Sequence, residues 1–207
     1  MQSAKISARY GLLLSIIALI CTALSAGVYF LTKDKIDSAV AKQQIALLSQ
    51  VIPPQYYDND LLSSCRAPNS AALQAVRIGK ICTAKKGNQI TAYAYETVAP
   101  DGYSGNIRLL VGMTPQKEIL GVRVIEHKET PGLGDKIETR VSDWILSFTQ
   151  QKITSDNLQD WAVKKDGGKF DQFSGATITP RAVVNQVKRS ALILAENLAQ
   201  LEAENHQ

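Results

Sequence analysis

At 207 residues, the chain has room for one membrane segment and one further domain of roughly 170 residues with its own core. Hydrophobic residues make up 45% and charged residues 20%, which excludes a disordered polymer. A net charge of +4 with no Lys/Arg-rich run argues against a nucleic-acid partner.

Residues 1–9 carry Lys5 and Arg9 and read as a cytoplasmic tail. Residues 10–32 hold no charge, and about 23 residues suffice for a helix to cross a bilayer core of roughly 30 Å. Tyr10 and Tyr29 sit near its ends, where amphipathic rings favour the headgroup zone. The rival reading is a cleaved signal peptide with a weak small-residue site at Ala23–Ala26, but such apolar regions run to only about 7–15 residues. Lys33 and Lys35 nearly balance the positive charge on the other flank, so charge decides little about orientation. A short N-terminal tail is easier to retain inside, which places residues 56–207 outside the cytoplasm. An oxidising compartment there permits a Cys65–Cys82 disulfide, and two buried thiols are the alternative.

Residues 33–55 continue as a stalk helix, with Ile36, Val40, Ala41, Ile45, Leu48 and Ile52 on one face and Pro53-Pro54 as its stop. A polar loop over 56–70 leads to four expected strands, Leu73–Thr83, Ile90–Val98, Ile107–Met113 and Ile119–Ile125. Lys86-Gly87-Asn88, Pro100-Asp101-Gly102 and Thr114-Pro115 are the turn signals between them. The Gly-rich run Thr130–Asp135 follows. Next come an expected helix over Ile137–Phe148, with Trp144 and Phe148 facing inward, and a long amphipathic helix over Arg181–Glu204. Strands grouped first and helices later predict an α+β fold: one N-terminal transmembrane helix, then one domain with a small, mainly antiparallel sheet and packed helices.

The run Asp171–Pro180 carries the chemistry. Thr179 and Pro180 read as a helix N-cap and first helical residue. Gly175 and Ala176 are small enough for a ligand to approach the backbone. Thr177 stands just before the helix, where unpaired N–H groups and the positive dipole end favour a phosphate. A hydroxyl at that place can be joined to a phosphate, although physics alone favours a simple cap. The chain's two histidines, His127 and His206, are too few for a zinc site. His127 with Glu126 and Glu129 reads as an exposed strand end.

Asp171-x-x-Ser174-Gly175-Ala176-Thr177 resembles the attachment motif of the FMN-binding domain family, in which a flavin transferase joins FMN through its phosphate to the last Thr. APDGYSG at 99–105, EHKETPGLGDKIE at 126–138 and the segment 161–184, together with the N-terminal span, resemble the G subunits of Rnf (Rsx) electron-transport complexes. Those are relatives of the C subunit of the sodium-pumping quinone reductase. The resemblance implies one covalent FMN on Thr177, a turn shaped by Ser174, Gly175 and Ala176, and Asp171 as a recognition point for the transferase. It implies that Thr130, Pro131, Gly132, Leu133 and Gly134 wall the flavin ring, where composition alone reads an ordinary turn. Lys164 could face the phosphate, with a solvated basic pair (Lys164 and Lys165) as the plainer alternative. Tyr103 is a possible ring neighbour; Trp144 reads better as core.

The function implied is an electron relay in the bacterial inner membrane, single-pass with a periplasmic domain. It would serve a ferredoxin/NAD-linked ion-translocating complex beside other membrane subunits, with no independent catalytic activity. There is no GxGxxG nucleotide fold and no Cys cluster for iron–sulfur, so NAD and cluster binding fall to partners. Two other classes stay open: an extracytoplasmic flavin reductase acting on a small substrate, and a cofactor-free assembly subunit.

Overall fold

In the computed structural model α1 is one unbroken helix, Gln2–Val51. Residues 2–204 are described; the side chains of 1–8 and 203–207, which include Lys5 and His206, lie outside the described set. The chain divides into two units, Met1–Gln44 and Ile45–Gln207. In the first, Leu12, Leu14, Leu19, Leu24, Phe30 and Leu31 are uncovered. Four hydroxyls of its apolar stretch bond within the helix: those of Ser15, Thr22, Ser25 and Thr32 each donate to the carbonyl four residues back, at 2.8–2.9 Å. A helix this long and apolar can cross a bilayer, where every backbone polar group must find an internal partner.

The second unit is built on an antiparallel meander in the order β1-β2-β3-β4-β5. The strands are β1 Lys80–Lys86, β2 Gln89–Gly102, β3 Gly105–Met113, β4 Glu118–Glu126 and β5 Gln151–Lys152. Alternation in β2 sends Tyr93 and Tyr95 to one face and Ala92 and Ala94 to the other. The tyrosine face packs with Leu109, Val111, Met113 and Ile119 against the helix α3, Ile178–Glu196. The Tyr95 hydroxyl lies 3.2 Å from Ser190 Oγ of α3, and burial pushes its phenol well above the ordinary range. The alanine face, with Cys82, Leu110 and Leu120, packs on Leu48 and Val51 from the last turn of α1 and on Ile52 just after it. Gly112 and Gly121 are cross-strand partners there, and a Cβ on Gly112 would run into the Val51 carbonyl oxygen. Cys65 and Cys82 form a disulfide that ties the 56–70 loop to β1 on this face.

Three expected elements differ. The supposed strand Leu73–Thr83 opens as the short helix α2, Ala71–Ala75, before β1. Arg77 at φ +57 stops α2, donating to Gln74 O at 2.9 Å while Ile78 N–H donates to Leu73 O at 3.0 Å, which is a Schellman closure. The apolar spacing of Leu73, Val76 and Ile78 served that closure and imitated a strand. Ile137–Phe148 is no α-helix but two 3₁₀ turns, Gly134–Ile137 and Trp144–Phe148. The Ser142 hydroxyl donates to Lys136 O at 2.6 Å and accepts from Trp144 N–H, so side-chain bonds replace the helical ladder. The long C-terminal helix starts earlier, at Ile178, and breaks at Asn197 into α3 and α4, Leu198–Glu204. Asn197 Nδ2 donates back to Ile193 O at 2.8 Å, and its Oδ1 accepts from Ser70.

Candidate functional site

The site assembles at the N-terminus of α3. Thr177 occupies the cap position with helical angles, φ −67° and ψ −28°, and its side chain makes no capping hydrogen bond. Among the described residues, the N–H groups of Thr177, Ile178 and Thr179 find no backbone acceptor, and Pro180 has none to satisfy. The cap therefore sits two residues earlier than expected. Thr179 is fully buried inside the first turn and donates its hydroxyl to Glu129 Oε2 at 2.5 Å.

The turn ahead of Thr177 is held by aromatic packing. Phe173 is buried, with its ring centroid 5.2 Å from Trp144, edge to face. Trp144 Nε1 donates to Asp171 O at 2.8 Å, and Ala176 N–H to Phe173 O at 3.1 Å. Gly175 turns the chain at φ +77°, which a side chain would resist. Trp144 thus braces the motif from the core and does not enter the cleft wall, as its packing with Phe148 also indicates.

Opposite lies the Gly-rich loop. Leu133 and Gly134 N–H groups both donate to Thr130 O at 3.1 Å, and Gly132 adopts φ +79° at the apex. Between loop and motif is an open cleft of about 330 Å³. Thr130, Leu133 and Gly134 wall one side, Gly175, Ala176 and Thr177 the other, and the exposed ring of Tyr103 stands at the rim. That size is at the small end for ligand pockets, about 300–1,000 Å³, and suits one planar ring system.

Other residues singled out in the sequence fall outside this wall. Ser174 and Gly132 are exposed beside it. Lys164 does not line the cleft: its Nζ pairs with Asp171 Oδ1 at 2.5 Å, both side chains being largely in solvent. The phosphate-facing role read for it has no support in that geometry. Arg181 instead ties the 164–166 turn to α3, through Asp166 at 2.6 and 2.8 Å. Its hydrogen bond holds the Asp166 carboxyl below the usual range.

The acid cluster also departs from expectation. Glu129 is not at an exposed strand end; it is 5% exposed and lines the cleft. Its backbone N–H donates to His127 Nδ1 at 3.0 Å, and His127 Nε2 meets Glu138. Glu138 also binds Arg140, whose hydrogen bond is the main cause holding its carboxyl below the ordinary value, with His127 adding to it. Nothing in sequence spacing marks Glu129, because its burial depends on Ser104, Gly102 and Thr179, all remote along the chain.

Residues 102–191 match the FMN-binding domain family, and residues 1–51 match the RnfG N-terminal region. The G subunit of the ion-translocating oxidoreductase complex of Pasteurella multocida is 68% identical over 97% of this chain and 99% of its own length. That of Haemophilus influenzae is 66% identical over 98% of this chain and 97% of its own. Among solved structures, the crystal structure of Shewanella oneidensis NqrC aligns with a TM-score of 0.47 and 20% identity, covering 73% of this chain and 72% of that one.

Proposed function

The chain belongs to the family of G subunits of ion-translocating oxidoreductase complexes, and on that membership and the cleft at α3 we propose that it carries one FMN, joined covalently through its phosphate to Thr177, and relays electrons inside that complex. One observation carries the attachment: a half-buried Thr hydroxyl with no capping bond stands at a helix N-terminus with unpaired N–H groups, in a wall shared with the Gly-rich loop. The phosphodiester left on Thr177 would keep one negative charge, which the helix end stabilises. Free N–H groups of Ile178 and Thr179 can donate to its oxygens. FMN passes electrons singly or in pairs, so it connects one-electron and two-electron partners.

The residues of this chain place and shelter the ring. Leu133 can cover a face, the backbone of Thr130 and Gly134 offers polar contacts, and Tyr103 closes the rim. Attachment at the phosphate end leaves the ring free in the cleft. Asp171, exposed three residues before Ser174, is accessible to a flavin transferase. Its ion pair with Lys164 orders the approach to the motif.

In this reading residues 1–9 are the cytoplasmic tail, 10–32 cross the inner membrane, 33–55 form the stalk and 56–207 work in the periplasm. The Cys65–Cys82 disulfide supports that side, because such bonds persist in oxidising compartments. Other membrane subunits of the complex would donate and accept the electrons.

The test is intact mass of the protein from a host containing the transferase, followed by peptide mapping. Added FMN mass on the peptide holding Thr177 is the expected result. Unmodified Thr177 in such a host would remove the attachment and leave the assembly-subunit reading in its place.

A further inference from the structure

The carboxylate that precedes the Gly-rich loop has no part in attachment, yet the fold is built around it. Glu129 Oε1 accepts from the Ser104 backbone N–H at 3.0 Å, and Oε2 accepts from the Thr179 hydroxyl at 2.5 Å. The donors come from the β2–β3 turn and from the first turn of α3. Three segments of the cleft wall therefore meet at this one side chain. Two glycines make room for it. A Cβ on Gly102 would stand 2.9 Å from Oε1, and one on Gly134 would stand 2.7 Å from Oε2. Neither glycine has a positive φ, so what each supplies is space.

An acid buried this deeply is costly unless it is paired. Among the described residues no Lys, Arg or His lies within ion-pair distance of Glu129. Arg140, which lines an adjoining pocket with Glu129, is engaged with Glu138, and His127 also meets Glu138. Two neutral donors, one on each oxygen, hold the carboxyl group in place. The wall that also carries Thr130, Leu133 and Thr177 thus holds a buried carboxyl group with no ion-pair partner among the described residues.

We propose that Glu129 sets the reduction potential of the flavin in this cleft, by facing it with a fixed and uncompensated negative charge. The inference rests on FMN occupying the cleft beside Thr177. Reduction adds electrons to the ring, and a like charge nearby, away from bulk water, opposes it. Glu129 thus holds the potential down and makes the reduced flavin a better donor. The same side chain is a positioning residue, since its hydrogen bonds fix the loop against α3.

Spectroelectrochemical titration of the full chain in detergent, with flavin attached, tests this on wild type, Glu129→Gln and Glu129→Asp. Thermal melting confirms that each variant is folded. Gln keeps an acceptor for Ser104 N–H and an amide that can meet the Thr179 hydroxyl, so the clamp survives and the charge goes. Asp keeps the charge. The expected result is a rise in potential for Glu129→Gln equivalent to roughly tenfold in electron affinity, ~59 mV for a one-electron couple. Glu129→Asp should stay much closer to wild type. An unchanged potential in Glu129→Gln overturns the proposal. An equal shift in both variants also overturns it, because repacking and not charge would then be the cause. Peptide mapping of the wild-type sample comes first: a Thr177 peptide without flavin defeats the cofactor assignment itself, before any variant is compared.

Discussion

The two faces of the sheet solve packing in opposite ways. Beneath α3 the strands present Tyr93, Tyr95, Leu109 and Met113, and the core extends through Phe148, Trp161 and Phe170. Phe148 and Phe170 stack with centroids 4.5 Å apart, and Phe170 lies 5.3 Å from Trp161. On the other face the same strands present Ala84, Ala92, Ala94, Gly112 and Gly121 to the end of α1. One face is stabilised by what its side chains bury, the other by how closely two backbones approach. The site stands over the first face. Its anchor, Phe173, belongs to the same aromatic group. The difference teaches that the faces should fail under opposite substitutions: the first when it loses volume, the second when it gains volume.

The largest effect that would sharpen this contrast is Phe148→Ala. The ring is fully buried at the centre of the aromatic group, and such truncations cost about 3–5 kcal/mol. Urea unfolding of the variant measures the loss, and a cost below about 1 kcal/mol would refute the assignment of this face. Next is the Cys65→Ser/Cys82→Ser pair on the small face. Opening a crosslink across 17 residues should remove about 3 kcal/mol, and a reductant should reproduce it in the wild type. Gly112→Ala comes third. Overpacking of this kind costs typically about 1–3 kcal/mol. A neutral Gly112→Ala would break the comparison, because it would mean that the helix end can lift away from the sheet.

Smaller effects separate the site from both faces. Thr177→Ala should abolish bound flavin while shifting stability by about 1 kcal/mol or less, since no capping bond is lost. In-gel flavin fluorescence and a melting curve read the two together. Smallest is Glu138→Gln. The Glu138 carboxyl is held below its ordinary value, chiefly by Arg140, so its contribution is fully present above the unfolded value of about 4.3 and is lost as pH falls through the lower folded value. The stability gap between wild type and variant should therefore be present at neutral pH and close on acidification below pH ~4. A gap that widens in acid would reverse the assigned sign.

Much of this was legible along the chain, and the rest was not for definable reasons. The long apolar N-terminal helix and strands β2 to β4 follow from local signals, an uncharged run and alternation, whereas the facing of the Thr177 turn and the Thr130–Gly134 loop is implied by the family resemblance alone, since composition there reads an ordinary turn. What escaped depends on contacts between distant segments. Glu129 is buried only because Gly102, Gly134 and Thr179 converge on it. The break of Ile137–Phe148 into two turns follows from the side-chain bonds of Ser142, which periodicity does not reveal. Leu73, Val76 and Ile78 imitate a strand because a helix closed by an αL residue spaces its apolar contacts in a similar way. Lys164 pairs with the exposed Asp171 and is absent from the cleft lining, in keeping with the solvated alternative that its charge also allowed.

The close fit of Val51 on Gly112 and Gly121 bears on where the chain can be cut. Leu48, Val51 and Ile52 are buried in the second unit, although the first two belong to the helix that begins at Gln2 and Ile52 follows it directly. A water-soluble fragment that starts after Pro53 would leave the alanine–glycine face bare and expose an apolar strip along β3 and β4 to aggregation. A fragment that starts near Ile45 would carry its own cover. The last two turns of α1 are thus the first segment of the sheet-bearing fold, and the practical boundary lies inside a continuous helix where no loop marks it.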